Sequence, residues 1–227
     1  MFPRSTQKEI MDNIFIDDEN IDQALRELTV INKWLGGFSN SRRGVKTLLK
    51  RIPAAKTVSV LDVGAGGCDL ASAISKLHPG IHITALDLNK RACEYSKRKH
   101  PSISVIHGSV RDLPFGERSF DIVHASLFLH HFTEKELHAV LLALYTAARC
   151  GIIINDLRRT LFSYYAMILL TRLFSKSAMV KNDGPISVRR GFTRPELTRL
   201  CSELPSASYT IRRTWAFRWH VCIAKPL

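Results

Sequence analysis

Val58-Ser59-Val60-Leu61-Asp62-Val63-Gly64-Ala65-Gly66-Gly67-Cys68-Asp69-Leu70 is the stretch that decides the fold. Its apolar first half fits a strand covered on both faces. Three glycines then allow a sharp turn and the close approach of a ligand to the backbone. Leu70, Ala73, Ile74 and Leu77 follow at i, i+3, i+4 and i+7, one apolar face of a helix. A strand, a glycine turn and a helix in this order place a nucleotide beyond the carboxyl end of the strand. The plainer alternative is a glycine turn in an α/β domain that binds nothing.

Two details bear on which nucleotide. Gly64 and Gly66 fit the dinucleotide fingerprint, but Asp69 stands where its third glycine should be. A carboxylate at that helix start would repel a pyrophosphate. S-adenosyl-L-methionine carries no phosphate, and an acidic residue near the loop suits its ammonium or sulfonium charge. The second detail is Asp87, which ends Ile81-His82-Ile83-Thr84-Ala85-Leu86-Asp87. It lies about 20 residues beyond the loop, where a carboxylate takes ribose hydroxyls.

The chain has 227 residues, 45% of them hydrophobic, enough for one α/β domain with additions. Its cysteines, at 68, 93, 150, 201 and 222, form no C-x-x-C pair and no metal spacing. That scatter predicts reduced thiols, no metal centre and a cytoplasmic protein. Cys68 reads as a small loop residue rather than a nucleophile. No apolar core of signal-peptide type opens the sequence, so secretion is not expected. The longest apolar stretch, Leu161 to Leu170, is too short to span a bilayer. Net charge is +13 and uneven: from Arg149 onward there are 14 Lys and Arg against 4 Asp and Glu. A basic segment suits a nucleic acid, a membrane surface or an acidic substrate; it is equally met on an ordinary basic surface.

Residues 1–56 read as helical. Asp17, Asp18, Glu19 and Asn20 make an acidic helix start. Ile21, Leu25, Leu28, Ile31 and Leu35 continue at helical spacing, and Gly36-Gly37 stops the run. Strands are expected at 57–63, 81–87, 103–107, 120–126 and 150–156. Helices are expected at 69–78, 90–100 and 134–148, the last opened by the capping box Thr133-Glu134-Lys135-Glu136. Strands at 207–214 and 218–225 are joined too closely for a parallel crossover, so they form an antiparallel hairpin. The expected architecture is a Rossmann-like, doubly wound, seven-stranded, mostly parallel sheet. It divides into an N-terminal helical cap (1–56), a cofactor-binding core (57–156), a helical insertion over the substrate (157–206) and the hairpin (207–227), all one domain. Within the insertion Leu161–Leu170 is apolar nearly all round. Asn182-Asp183-Gly184-Pro185 reads as a turn, and Thr193-Arg194-Pro195-Glu196 as a second capping box.

At this point the sequence resembles the class I S-adenosylmethionine-dependent methyltransferases, over about residues 57–156 and in the pattern of the hairpin. Leu61-Asp62-Val63-Gly64-Ala65-Gly66-Gly67 looks like the family's first motif, Leu86-Asp87-Leu88 like its ribose-binding acid, and Gly108-Ser109-Val110-Arg111-Asp112-Leu113-Pro114-Phe115 like its adenine-binding stretch. Phe120-Asp121-Ile122-Val123-His124-Ala125-Ser126 and Leu129-His130-His131-Phe132 resemble the fourth-strand motif and its sequel. Four such pieces in order are far more specific than any one. The resemblance implies roles. Gly64, Ala65 and Gly66 would pass under the methionine portion of the cofactor. Asp62 would organise the loop or meet the ligand's amino end, and Asp87 with Leu88 would hold the ribose. Ser109 and Val110 would face the adenine, and Ala125 and Ser126 would flank the sulfonium. The family often has Asp where Ser109 stands and glycine where Cys68 stands. Asn32-Lys33-Trp34-Leu35-Gly36-Gly37, Asn155-Asp156-Leu157-Arg158-Arg159 and Asp183–Phe192 look like a bacterial subgroup associated with polyketide, phenolic-lipid or quinone pathways.

Methyl transfer is an in-line displacement at a sulfonium, so alignment of the acceptor matters most. A phenol also gains from losing its proton. His131 and Asp156 are the candidate catalytic groups; His130, Arg158, Tyr164 and Arg189 are candidates for the acceptor. Each has a structural alternative: helix-entry packing for the histidines, an ion pair for Asp156 with Arg158, solvated surface for Arg189. The leading expectation is methyl transfer to an oxygen or carbon of a small, aromatic and lipophilic or acidic acceptor. No DNA partner is expected, peripheral membrane contact is admitted, and the oligomeric state stays open. The alternatives are an RNA methyltransferase, suggested by the charge, and a non-catalytic protein that only binds the cofactor.

Overall fold

The computed structural model describes residues 2–13, 15–16, 19–53 and 57–226. Asp17 and Asp18, read above as part of a helix start, lie outside them. Seven strands, β1 (Val58–Val63), β2 (Ile81–Asp87), β3 (Ser104–His107), β4 (Phe120–Ser126), β5 (Ala148–Leu157), β6 (Ser208–Thr214) and β7 (Arg218–Ala224), form one sheet in the order β3-β2-β1-β4-β5-β7-β6. All neighbours are parallel except β7, which runs antiparallel to both β5 and β6. The strand order reverses between β1 and β4, which sets a crevice at their carboxyl ends.

The continuous apolar runs have a simple cause. Leu61, Val63, Val123, Ile152 and Ile154 point to one face, under α5 (Glu134–Ala147) and α8 (Arg194–Ser202). Val58, Val60, Ile122 and Ile153 point to the other, under α2 (Gly37–Leu49) and α3 (Asp69–Ser75). Both faces are therefore covered by helices and mostly apolar. Both capping boxes read from the sequence close as expected, at Thr133 and at Thr193. The five cysteines are free thiols and all are buried.

Two expectations are corrected. The N-terminal region is helical only in part. α1 (Glu19–Trp34) and α2 are helices, but residues 2–13 form a strap that crosses the insertion, without helix over 2–9 and with one short 3-10 turn at Ile10–Asp12. Ser5 N–H donates to Arg189 O, and the Asp183 carboxylate accepts from the N–H groups of Ile10 and Met11. Asn182–Pro185, read as a turn, lies inside α7 (Ala178–Arg190). Gly184 explains the override. α6 (Leu161–Phe174) crosses there, and a Cβ would meet Thr171 Cγ2 at 3.1 Å and Met167 Cγ at 3.2 Å. Helix packing at that contact outweighs the local cost of Gly and Pro, as tertiary context often does.

α2 lies close on the sheet because Gly37, Ser41 and Gly44 face it. A Cβ on Gly44 would stand 2.6 Å from Ile153 Cγ2 and 2.7 Å from His220 Nε2. Both neighbours are fixed in the sheet. Gly44→Ala should therefore lower unfolding free energy by about 1–3 kcal/mol, despite the better helix propensity of Ala. Urea unfolding measures this; an unchanged midpoint would contradict the close packing.

Candidate active site

The glycine loop leaves β1 with Gly64 at φ 65° and Gly66 at φ 52°, left-handed values that favour glycine. Cys68, at φ 57°, caps α3 in the same region without being glycine, and its side chain is buried. Burial pushes its thiol up to about 12, so it is no nucleophile at neutral pH. The loop is held by Asp87. One carboxylate oxygen accepts the Gly66 N–H at 2.8 Å and the other accepts the Asn89 N–H at 2.9 Å. Burial raises the Asp87 carboxyl above its usual range, against the pull of these two bonds.

Beyond the carboxyl ends of β1, β2 and β4 lies a cavity of about 610 Å³. That is a size suited to a nucleoside-sized ligand. Gly64, Ala65, Gly66, Asp87, Leu88, Ser109, Val110 and Ser126 all line it. Ser126 Oγ is buried there without a hydrogen-bond partner, so it has a free site to offer a ligand. Asp62 and Ala125 stand behind the wall. Asp62 turns away from the cavity to His124, Oδ1 to Nδ1 at 2.6 Å, and His124 Nε2 meets Ser41 Oγ at 2.8 Å. Asp69 lines the wall, and its Oδ2 accepts from Thr29 Oγ1 and Lys99 Nζ, each at 2.8 Å. Lys99, from the last turn of α4 (Lys90–Lys99), thus pairs with the carboxylate that the sequence reading set near a ligand cation.

The other end of the cavity is built from distant segments. Asp156 is fully buried at the end of β5. Its Oδ1 lies 2.7 Å from His130 Nδ1, and it also accepts from the N–H groups of Leu157, Phe128 and His130. So Asp156 pairs with His130, where an ion pair with Arg158 was the alternative. Glu9 of the strap approaches His130 Nε2 at 3.5 Å. Burial disfavours charge on His130, but Asp156 and Glu9 outweigh it and raise the imidazole to about 9. The Asp156 and Glu9 carboxyls stay below their usual range; burial opposes this and the histidines prevail. His131, half-buried on the cavity wall, sets Nδ1 2.6 Å from Asp12 Oδ1. That bond fixes the ring and leaves Nε2 as the atom available to a ligand.

Arg190 closes this end. It is buried, lines the cavity, donates to the His130 and His131 carbonyls and pairs with Asp12. Arg189, the residue expected to meet the acceptor, instead stacks its guanidinium over Phe2 and lies off the cavity. Tyr164 packs on Phe2 and Tyr165, also off the cavity. Arg158 sits between β5 and α6, its Nε buried without a partner, and does not reach the cavity either. The helical register of α7 decides the arginine swap: position 190 faces inward with Asp183 and Ile186. Glu9, Asp12 and Arg190 were missed because they are brought to the histidines over some 60 to 120 residues of chain; only the acidic spacing of the strap hinted at them. Glu9, His130 and His131 bring one metal-type ligand atom each within 4.8 Å. The Arg190 guanidinium, 3.7 Å from Glu9, already supplies that cluster with a cation.

Comparison with known proteins agrees with this geometry. A family model described as a methyltransferase domain matches residues 60–151. The chain is 29% identical over 170 residues to the demethylmenaquinone methyltransferase of Chlorobaculum tepidum, covering 68% of each chain. It is 27% identical over 175 residues to the glycine/sarcosine/dimethylglycine N-methyltransferase of Actinopolyspora halophila, over 70% of this chain and 28% of that one. In fold it is similar to the plantazolicin methyltransferase BpumL solved with S-adenosylhomocysteine: TM-score 0.72, 15% identity, 94% and 93% of the two chains. The magnesium protoporphyrin IX methyltransferase of Synechocystis is similar at TM-score 0.60 and 12% identity, over 86% of this chain and 87% of that one. Residues 60–151 thus match a methyltransferase domain, relatives along two thirds of the chain are methyltransferases, and the fold is shared with methyltransferases solved with S-adenosylhomocysteine.

The buried histidine gives a pH signature. A folded pKa raised from 6.5 to about 9 stabilises the fold fully below pH 6.5, and that stability is lost as pH rises through 9. The loss is at most ~3 kcal/mol. Thermal unfolding should therefore occur at lower temperature at pH 9.5 than at pH 6.5, and His130→Gln should flatten the difference. A slope that persists in the variant would refute the assignment.

Proposed function

We propose that the chain transfers a methyl group to an oxygen or carbon of a small, aromatic, lipophilic acceptor, with His131 as the general base. The observation that carries this is the His131–Asp12 pair on the wall of a cavity whose opposite end is the glycine loop. S-adenosylmethionine supplies a methyl group on a cationic sulfonium. In this reading Asp87 and Leu88 hold the ribose, Ser109 and Val110 the adenine. Gly64, Ala65 and Gly66 pass beneath the methionine portion, and Ser126 offers its unpartnered hydroxyl beside the sulfonium. Asp62 acts at one remove, by fixing β1 to β4 through His124. His131 takes the acceptor proton at Nε2 while Asp12 holds Nδ1 and favours the resulting imidazolium. Asp156 is a positioning residue: it orients His130 and the backbone that presents His131.

The acceptor half supports an apolar ring. Met11, Leu25, Leu28, Phe38, Phe132 and Val180 line the cavity between the loop and the histidines. Lys8 also lines the cavity, while the Arg190 charge is already matched by Asp12 and Glu9. The similarity to demethylmenaquinone methyltransferases supports the same class of acceptor.

Two predictions test the two halves. Asp87→Ala should weaken cofactor binding at least tenfold by calorimetry, because it removes the ribose contact and frees the Gly66 N–H. Unchanged affinity would overturn the cofactor placement. For the other half, labelled S-adenosylmethionine is incubated with the protein and fractionated cell extract. Label should enter the organic-soluble fraction, and His131→Ala should cut that rate by about 10²–10⁴ while cofactor affinity stays within threefold. Label in RNA alone would establish the nucleic-acid reading instead. Cofactor binding with no labelled product would establish a binding protein.

A further inference from the structure

α6 is inside out. The residues it buries are Ser163, Met167 and Thr171. The apolar residues it shows to solvent are Leu161, Phe162, Tyr165, Leu169, Leu173 and Phe174. Leu161, Tyr165, Leu169 and Leu173 lie four apart along one stripe of the helix, with Phe162 and Phe174 beside it. A helix that faces water does the reverse, turning its Ser and Thr outward. The stripe is not the side of the cavity, whose lining includes no residue of α6. The hairpin turn extends it. Phe217 packs edge-on against Phe162 with centroids 5.4 Å apart, which brings Trp215, 73% exposed, to the foot of the stripe. The turn is also bonded to the end of α1, where Ala216 N–H donates to Leu35 O and Trp34 is exposed.

Charge identifies what this surface fits. Between Leu157 and Asn182 the exposed charges are Arg172, Lys176 and Lys181, and the stretch holds no Asp or Glu. Arg172 and Lys176 are exposed at the end of the stripe, and Arg212 and Arg213 are exposed on the hairpin strand that leads to Trp215. Leucine and aromatic side chains flanked by cations match the interface of an anionic bilayer, where the apolar groups enter the acyl boundary and the cations meet headgroups. Exposed Trp and Tyr suit the same depth. A second copy of a chain of net charge +13 would bring like charges together. Phe162, Tyr165 and Trp215 could stack with bases, but Leu161, Leu169 and Leu173 between them add aliphatic surface that suits acyl chains and not a polyanion such as RNA.

We infer that α6, with the hairpin turn at Trp215, docks the protein on the surface of an anionic membrane. No helix among the described residues is long and apolar enough to cross one, so the contact lies in the plane of the interface. The inference stands on this face alone and does not need the acceptor named above.

The test is cosedimentation of the full chain with sucrose-loaded vesicles. One set is phosphatidylcholine; the other is phosphatidylcholine with 30 mol% phosphatidylglycerol, on the order of a strongly charged membrane surface. Binding to the anionic vesicles should exceed binding to the neutral ones at least tenfold and should weaken with salt. Leu161→Ser/Leu169→Ser/Leu173→Ser should lose at least tenfold of it. These positions are already in water, so the variant should keep its unfolding midpoint and its cofactor affinity. Equal binding by wild type and variant, or none by wild type, overturns the proposal. So does a wild-type dimer on size exclusion that the variant breaks, or a face that retains RNA rather than vesicles. Methyl transfer to a detergent-dispersed aromatic lipid tests the acceptor separately: its failure beside intact vesicle binding removes the acceptor reading and leaves the docking.

Discussion

The buried guanidinium of Arg190 is the interaction on which the acceptor end depends. It joins three segments far apart in sequence: the end of α7 that carries it, the strap through Asp12 and Gln7, and the turn after β4 through the carbonyls of His130 and His131. A cation so buried is stable only with partners of opposite charge or dipole on every side. Asp12 and Glu9 supply the charge and the carbonyls supply the dipoles. Arg4 adds to the same knot, with Nε donating to Arg190 O at 2.7 Å and Nη2 to His130 O at 3.2 Å. Each carboxylate of the strap is thereby shared between Arg190 and a histidine. The His131 ring is held by a carboxylate that Arg190 also pairs with, and the arginine is buried against the N-terminal strap.

A second polar knot lies beneath the sheet's carboxyl ends. Asp62, His124, Ser41 and Asn155 form a chain of bonds from β1 through β4 and α2 to β5. Arg218 of β7, fully buried, continues it to Asn155 Oδ1, Leu35 O and Asn32 Oδ1. Burial lowers the Arg218 guanidinium to about 10, which still leaves it charged at neutral pH. A network this dry is costly if any member is unpaired, so it enforces one register between the sheet and the N-terminal helices. That register sets where α1 lies above the glycine loop: Leu25 stands 3.4 Å from the place a Gly66 Cβ would take.

The cofactor half was legible in the sequence and the acceptor half was not, for one physical reason. A strand, a glycine turn and a carboxylate at the end of the next strand are local features, and their spacing is fixed by backbone geometry. Hence Gly64, Gly66, Asp87, Ser109 and Ser126 all reach one cavity. Arg189 against Arg190 is different. Adjacent arginines are indistinguishable by composition, and only the register of α7, set by Asp183 on the strap, turns one inward. Likewise Asn182–Pro185 carries every local mark of a turn, yet the contact of Gly184 with Met167 and Thr171 keeps it helical. Asp69 is a related case. Its place beside the loop was right, but its pairing with Lys99, thirty residues on, could not be seen.

This division has a consequence for how the site can vary. The glycine loop is anchored by β2 and α4: Asp87 accepts from the Gly66 N–H, and Ser96 Oγ donates to Gly66 O at 2.6 Å. None of those bonds involves the strap or α7. The acceptor wall, by contrast, rests on ion pairs among the strap, α7 and the turn after β4, and these are segments whose residues can be exchanged without moving a strand. Changing an acceptor then means rewriting Glu9, Asp12, Arg190 and the apolar side chains around them, while β1, β2 and their carboxylate stay as they are. The two ends meet only at Ser126 and the short turn to His131. There the backbone is pinned from below by Asp156, whose carboxylate accepts from Phe128, His130 and Leu157 at once. Asp156 thereby fixes the backbone that runs from the end of β4 to His130.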